Sequence, residues 1–337
     1  MIAPEISILL LAVAIDQILG EPPAIIHPVV WMGKVIAVLE KLSPSLDSTN
    51  IKGRVSPSFD LTLNEGRVSP TRARGQLVYG ALMVVVVVVI FGLATFYVLE
   101  LLRMWNIAAY IIVGAFILKT NFAVRELRRA AVRVFDALAA GQLDDARRYL
   151  RHLVSRDTHT LDEPLIVAAT VESVAENVSD SFISPLLFFL ILGVPGAVVY
   201  RTVNTMDSMI GYHGKYEYLG KAAARLDDIL NIIPSRLAGA LTVVASALTK
   251  SDMVQAWRIM LRDHGLTESP NAGWTMSAMS GALGVQLEKI GHYRLGDPVL
   301  ELAPLKIMRA VNIMYVVAAL GLSISLLVEV LIHAYLP

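Results

Sequence analysis

The chain has no cysteine in 337 residues, and that absence removes disulfides, iron–sulfur clusters, thiolate zinc sites and a cysteine nucleophile together. Charge is scarce too: 17% of residues are Asp, Glu, Lys or Arg, against about 25% in an ordinary soluble domain. Neither sign is in excess, with 29 basic and 29 acidic residues, so the basic surplus that a nucleic-acid partner demands is missing. No nucleic acid is expected as a partner. The seven histidines show no metal-ligand spacing, and neither a Walker A sequence nor a Gly-x-Ser-x-Gly elbow occurs. Any use of ATP would need an unfamiliar site. A basic leader is lacking as well: the N-terminus opens on Glu5 and is interrupted by Asp16, which makes a cleaved signal peptide the weaker reading.

What the chain has instead is apolar sequence, 55% of residues with a mean hydropathy of +0.60. The segment from about Gln76 to Leu102 holds an unbroken valine run and is long enough to cross a hydrocarbon core of ~30 Å. Met104 to Leu118 returns, closing a hairpin around Arg103 and Trp105. Val311 to Ala334 and Met1 to Leu19 read as further spans. Phe182 to Tyr200 is apolar but broken by Gly193-Val194-Pro195-Gly196, and Leu237 to Leu248 is too short to cross alone.

The basic residues fall as 7 between Lys34 and Arg74, Arg103 alone, 9 from Lys119 to Arg156, 5 from Arg201 to Arg236 and 7 from Lys250 to Arg309. Every long connection is therefore basic, and the positive-inside rule puts all of them on the cytoplasmic side. Under that topology 182–200 cannot cross once. It must dip and return, or pair with 237–248. The expected fold is all-α: a polytopic integral membrane protein forming one domain over 1–337, with amphipathic cytoplasmic helices and a re-entrant segment. Residues 44–74, where Gly-Arg-Val-Ser-Pro appears at 53–57 and again at 66–70, read as a flexible insertion. Residues 121–181 read as a cytoplasmic helical segment. Within it, apolar residues from Val124 to Leu153 recur at helical spacing and predict two amphipathic helices joined at Gly141.

The polar motifs sit in these connections. Asp162 or Thr160 can cap a helix starting near Pro164. On it Glu172, Glu176 and Asp180 follow at i, i+4 and i+8 and line a narrow face. Like charges so placed repel by a few tenths of a kcal/mol per exposed pair, which calls for a cation. Hard oxygen ligands suit Mg²⁺ with substrate phosphate, while the plainer reading is an acidic face paired with the arginines of 125–156. Tyr200, Asn204, Asp207, Ser208 and Gly211 share a face beside an apolar segment, where an acid and an amide are expensive. Asp227 and Asn231 share another, with Asp228 free to pair with Arg225 or Arg236. The turn Ser269-Pro-Asn-Ala-Gly-Trp274 can present N–H groups to an anion, and the small residues after it read as close helix packing. His27 reads as an interfacial hydrogen-bonding residue more readily than a catalytic one.

Together these motifs resemble the CobD/CbiB family of cobalamin biosynthesis. The resemblance runs through Asp16-Gln-Ile-Leu-Gly-Glu-Pro-Pro, His27-Pro-Val-Val-Trp-Met-Gly33, Arg156-Asp-Thr158 and Glu172-Ser-Val-Ala-Glu-Asn177 with Asp180. It continues through Asn204-Thr-Met-Asp-Ser-Met-Ile-Gly-Tyr212, Ala224-Arg-Leu-Asp-Asp228 and Ser269-Pro-Asn-Ala-Gly-Trp274. The resemblance implies an amide-forming ligase. It would join aminopropanol or its O-phosphate to a propionate carboxyl of adenosylcobyric acid, with ATP as co-substrate and Mg²⁺ as metal. It points to Glu172, Glu176 and Asp180 as metal ligands, and to Glu172, Glu176, Asp207 and Asp227 as the catalytic set. His27, Arg156, Asp157, Asn177, Asn204, Arg225 and Asn271 would contact substrate. The expected setting is the cell membrane with the site toward the cytoplasm, membrane lipid as a partner and homo-oligomerisation left open. Two other readings compete: a transporter, suited by a broken span, and a prenyltransferase-like enzyme, for which Asp227-Asp228 is one weak motif.

Overall fold

The computed structural model describes residues 4–43, 70–212 and 214–335. Thirteen α-helices carry these residues: α1 Pro4–Ile18, α2 Pro28–Lys41, α3 Pro70–Trp105, α4 Ile107–Lys119, α5 Val124–Ala139, α6 Leu143–Leu150, α7 Glu163–Val178, α8 Ser184–Ile210, α9 Lys221–Leu230, α10 Ile232–Leu248, α11 Met253–Asp263, α12 Ala272–Leu283 and α13 Leu305–Tyr335. Two three-residue strands, β1 Leu287–Lys289 and β2 Tyr293–Leu295, form an antiparallel hairpin that the sequence pattern did not predict. Four stretches are long and apolar enough to cross a bilayer, 71–105, 107–139, 163–210 and 305–335, and α9 with α10 makes a fifth candidate bent by 49°. The protein is a multi-pass helical membrane protein.

Residues 44–69 of the expected insertion lie outside the described residues. The expected limit at 74 is corrected, because Pro70–Arg74 already form the first turn of α3. Pro at a first helical position gives up only an N–H that would be orphaned there anyway.

The valine-rich helix and its return are present. Asn106 caps α4, its Oδ1 accepting from Ala108 and Ala109 N–H at 2.8 and 3.1 Å. α1 lies alongside α4, with Tyr110 O–H donating to Glu5 at one end and Lys119 3.7 Å from Asp16 at the other. Between those ends, a Cβ on Gly114 would stand 2.9 Å from the Cδ1 methyl of Ile8, so a larger residue there would make the Ile8 side chain shift.

The stretch 163–210 is one helix by length, but its contacts show that it folds back. Phe188 stacks on Tyr200 with ring centroids 5.2 Å apart, and Ser184 and Tyr200 both donate to Asn231 Oδ1, at 2.8 and 3.0 Å. Along a straight helix residues 184 and 200 would stand ~24 Å apart. The reversal is at Gly193, whose φ of +66° is open to glycine and strained for other residues. α8 is thus two antiparallel arms meeting at a tip. Beyond that tip α3 and α13 continue, since Gly92 already packs on Val199 and Gly321 on Ile183. The stretch 182–200 thus turns back on itself at Gly193.

α5 and α6 form the expected amphipathic pair. Val124, Leu127, Ala131, Val134, Leu138, Ala146 and Leu150 are buried, and Gly141 turns between the helices at φ +70°. α7 departs from the peripheral character of its neighbours. Eleven of its sixteen residues are buried, against α5, α12 and α13.

The β-hairpin is tied to the bundle through Asp263, which is buried. Its Oδ2 accepts from Gly296 N–H at 2.7 Å and its carboxylate from the Arg262 guanidinium at 2.6 and 2.9 Å. Burial pushes this carboxyl up, but Arg262 and the Gly296 N–H outweigh it and hold it below the ordinary 3.8. A carboxyl lowered on folding contributes stability above its unfolded pKa and loses it as pH falls through the folded one. Asp263→Asn should therefore cost about 1 kcal/mol at pH 7. The deficit should persist at pH 5 and fade below about pH 4. Thermal unfolding in detergent measures both, and a deficit still undiminished at pH 3 would contradict the assignment.

Candidate active site at the mouth of the re-entrant hairpin

Asp180 lies 13 residues before Gly193 and Asp207 lies 14 after it. Each arm therefore lifts its aspartate ~20 Å from the tip, and the two arrive together at the hairpin's open end. The π-helical turn Ser179–Ile183 leads α7 into the first arm and swings Asp180 into the same space. There a cavity of about 340 Å³ is lined by Glu176, Asp180, Asp207, Asp227, Asp228 and Glu268, with Asn231, Ser235, Asn271 and Thr275 beside them. Six carboxylates converge from α7, the π turn, α8, α9 and the loop before α12. Among the described residues no lysine or arginine lines it.

Side-chain amides orient part of this set. Asp227 Oδ2 accepts from Asn231 Nδ2 at 2.9 Å and Oδ1 from Asn204 Nδ2 at 3.3 Å. Asn204 is itself held by Arg201, 3.2 Å from its Oδ1, and Arg201 also donates to the Asn121 carbonyl. Asp228 pairs with Arg225 at 3.5 Å on the rim, where Arg225 is 73% exposed. Asn271 donates to the Asp228 carbonyl at 2.8 Å and accepts from Ser235.

Glu176 is the one carboxylate that also lines a second, smaller cavity of about 140 Å³, shared with Arg156, Glu172, Ser173, Lys289 and Tyr293. Arg156 Nη2 donates to Glu172 Oε2 at 2.8 Å. The Tyr293 phenol is pushed above its ordinary pKa by burial and then by the negative charge of Glu172 and Glu176. An acid-rich chamber thus adjoins one that carries two cations, with Glu176 between them.

The structure sorts the sequence-predicted residues. Glu176, Asp180, Asp207, Asp227 and Asn271 come together in the larger cavity, and Asn204 stands behind Asp227. Glu172 does not join Asp180: it is on Arg156 in the smaller cavity, because each step of four residues drifts 40° around the helix. Among the described residues no three His, Asp or Glu are close enough to hold a metal ion as placed. Arg156 and Arg225 occupy different cavities and form no joint clamp. His27 is elsewhere, capping α2 through Nδ1, which accepts from Val29 N–H at 3.2 Å, while Nε2 lies 2.8 Å from Glu21. Burial raises the Glu21 carboxyl, but hydrogen bonds from His27 and from buried Lys119 outweigh it and leave it lowered. Asp157 is exposed and accepts from His159 N–H at 2.9 Å, and Asn177 turns back to the Ser173 carbonyl.

In the Ser269 turn the Asn271 and Ala272 N–H groups are already taken, since both donate to Ser269 Oγ. The small residues after it serve packing, as their spacing predicts: a Cβ on Gly281 would come 2.4 Å from the Gln255 carbonyl oxygen. Sequence reasoning missed Lys289, Tyr293 and Glu268. Only the turn glycine Gly291, at φ +79°, marked the hairpin that brings Lys289 and Tyr293 in.

Glu172 is 7% exposed and Arg156 is its partner, so Arg156→Met should destabilise the protein by about 2 kcal/mol by leaving a buried carboxylate alone. Adding Glu172→Gln should recover part of that loss. A double-mutant cycle on thermal unfolding reads the coupling, and additive losses would show that the pair is not one unit.

The family described as CobD/Cbib protein matches residues 9–314 of the chain. The chain is 47% identical over 298 residues to the cobalamin biosynthesis protein CobD of Dehalococcoides mccartyi (strain CBDB1), covering 88% of each. It is 38% identical over 324 residues to a probable cobalamin biosynthesis protein CobD of Methanothermobacter thermautotrophicus, covering 94% of this chain and 97% of the relative. A Methanocaldococcus jannaschii relative with the same description is 37% identical over 291 residues, 86% of this chain and 88% of its own. No solved structure matches.

Proposed function

The chain belongs to the CobD/CbiB family and serves cobalamin biosynthesis, and we propose that its step is amide formation between adenosylcobyric acid and aminopropanol or its phosphate. The observation that carries this reading is the pair of chambers meeting at Glu176. The acid-lined one suits an alkylammonium and a divalent cation. The other, with Arg156 and Lys289, suits a carboxylate or phosphate.

In this reaction a propionate oxygen attacks the γ-phosphorus of ATP, forming an acyl phosphate and releasing ADP. The amine nitrogen then attacks the acyl carbon, the C–N bond forms, the C–O bond to phosphate breaks, and the amine proton passes to a carboxylate. Asp207 suits that last role. Asp227 has both oxygens occupied by Asn204 and Asn231, whereas Asp207 makes no side-chain hydrogen bond among the described residues. Glu176, Asp180 and Asp227 offer the hard oxygens that Mg²⁺ takes, and they would have to draw closer than they stand here to hold it; when bound it would offset phosphoryl charge. Arg156 and Lys289 would hold the anionic group, and Asn271 would orient the chamber's far wall. The basic connections support a site facing the cytoplasm. A hairpin that returns to its own side gives a transport path little support.

The test is product formation by purified protein in detergent, with ATP, Mg²⁺, aminopropanol phosphate and adenosylcobyric acid, read by mass spectrometry. A product heavier by the amine less water is expected without any gradient. Uptake into vesicles with no such product would overturn the reading.

A further inference from the structure

Far from the acidic chambers, where α10 ends and α13 begins, a cavity of about 380 Å³ is lined by Thr249, Lys250, Ser251, Arg309 and Asn312. Among the described residues no carboxylate lines it. The nearest acid in sequence, Asp252, is turned into the start of α11, where its Oδ1 accepts from Gln255 N–H at 2.9 Å. Among the described residues neither Lys250 nor Arg309 forms an ion pair. A third cation, buried Lys306, sits one turn before Arg309 and donates to the Leu283 carbonyl.

A solvated pair of surface charges does not account for this arrangement. Lys250 at the end of α10 is favourable to that helix's dipole, but Lys306 and Arg309 occupy the first turns of α13, where the dipole already presents positive charge. Lys250 holds φ +58° in the turn where Ser251 N–H closes on the Ser246 carbonyl, a position glycine fills with less strain. That strain is worth about 1 kcal/mol. The backbone N–H groups and the Thr249 hydroxyl are committed to α10. What remains facing the cavity is a set of donors: an ammonium, a guanidinium, a side-chain amide and the Ser251 hydroxyl.

We propose that Lys250 and Arg309, with Ser251 and Asn312, bind a phosphate group carried on a larger molecule. The donor set matches phosphate oxygens, and the cavity exceeds what a bare phosphate would fill. A soluble phosphomonoester and a phospholipid headgroup share this chemistry, and Leu248, Val254 and Leu305 are exposed beside these residues in sequence.

The experiment uses the full chain, delipidated in detergent, beside K250Q/R309Q. Both substitutions are at exposed positions outside the catalytic chambers, so folding and amide formation should be unchanged, and failure of the catalytic reading would not move this result. Native mass spectrometry with phosphatidylglycerol should show about tenfold tighter retention by the wild type, weakening with salt. Competition by millimolar glycerol phosphate would assign the site to soluble phosphoesters, and retention without competition to lipid. Equal retention of both probes by wild type and K250Q/R309Q would overturn the proposal.

Discussion

Replacing Glu176 by Gln is expected to lower amide formation by at least ~100-fold while leaving membrane insertion and thermal stability near wild type. The magnitude follows from what one positioned carboxylate contributes as an acid, base or metal ligand. Glu176 is singled out by geometry. It is one of the few α7 residues not fully buried, and the one carboxylate open to both chambers. Gln keeps the shape and removes the charge. If Glu176 holds Mg²⁺, the variant should need more Mg²⁺ for half-maximal rate. Asp228→Asn is the contrast, because Asp228 already spends its charge on Arg225 at the rim. That substitution should cost less than about threefold. Full turnover by Glu176→Gln would rule out the two-chamber site.

Much of the fold was legible because the bilayer imposes simple demands. The valine run, the turn at Arg103 and Trp105 and the C-terminal span follow from length and hydropathy alone. For 182–200 the charge distribution left a dip and return or a pairing with 237–248, and the reversal at Gly193 is the geometry of the first. The site was legible in its residue types but not in its partition. Periodicity put Glu172, Glu176 and Asp180 on one face, yet a 40° drift per step is enough to divide them between two chambers. Arg156 is brought onto Glu172 by the irregular 151–162 connection, which has no period to read. Lys289 and Tyr293 arrive through a strand pair of three residues each, too short to produce an alternation signal. His27 carried chemistry in type alone. Its two ring nitrogens are consumed by a helix cap and by Glu21.

Asn231 joins the hairpin to the site, and its replacement by Ala should destabilise the protein more than either Arg156→Met or Asp263→Asn. The side chain is 2% exposed and makes three hydrogen bonds. Its Oδ1 accepts from Ser184 on one arm and Tyr200 on the other, and its Nδ2 donates to Asp227. Ser184 and Tyr200 are themselves fully buried, so truncation leaves two hydroxyl donors without water to replace the amide, and Asp227 with one amide partner fewer. At about 1–3 kcal/mol for each buried group left unsatisfied, a loss of about 3–5 kcal/mol is expected. Activity should fall as well, since Asp227 would keep only Asn204 as its orienting partner. The same logic makes the loss non-additive. In a Ser184→Ala, Tyr200→Phe background the orphaned donors are already gone, so Asn231→Ala should cost roughly half as much. Unfolding in detergent, followed by circular dichroism, compares the two backgrounds directly. An equal cost in both would mean that the arms are held by apolar packing alone, and that the amide serves only to aim Asp227.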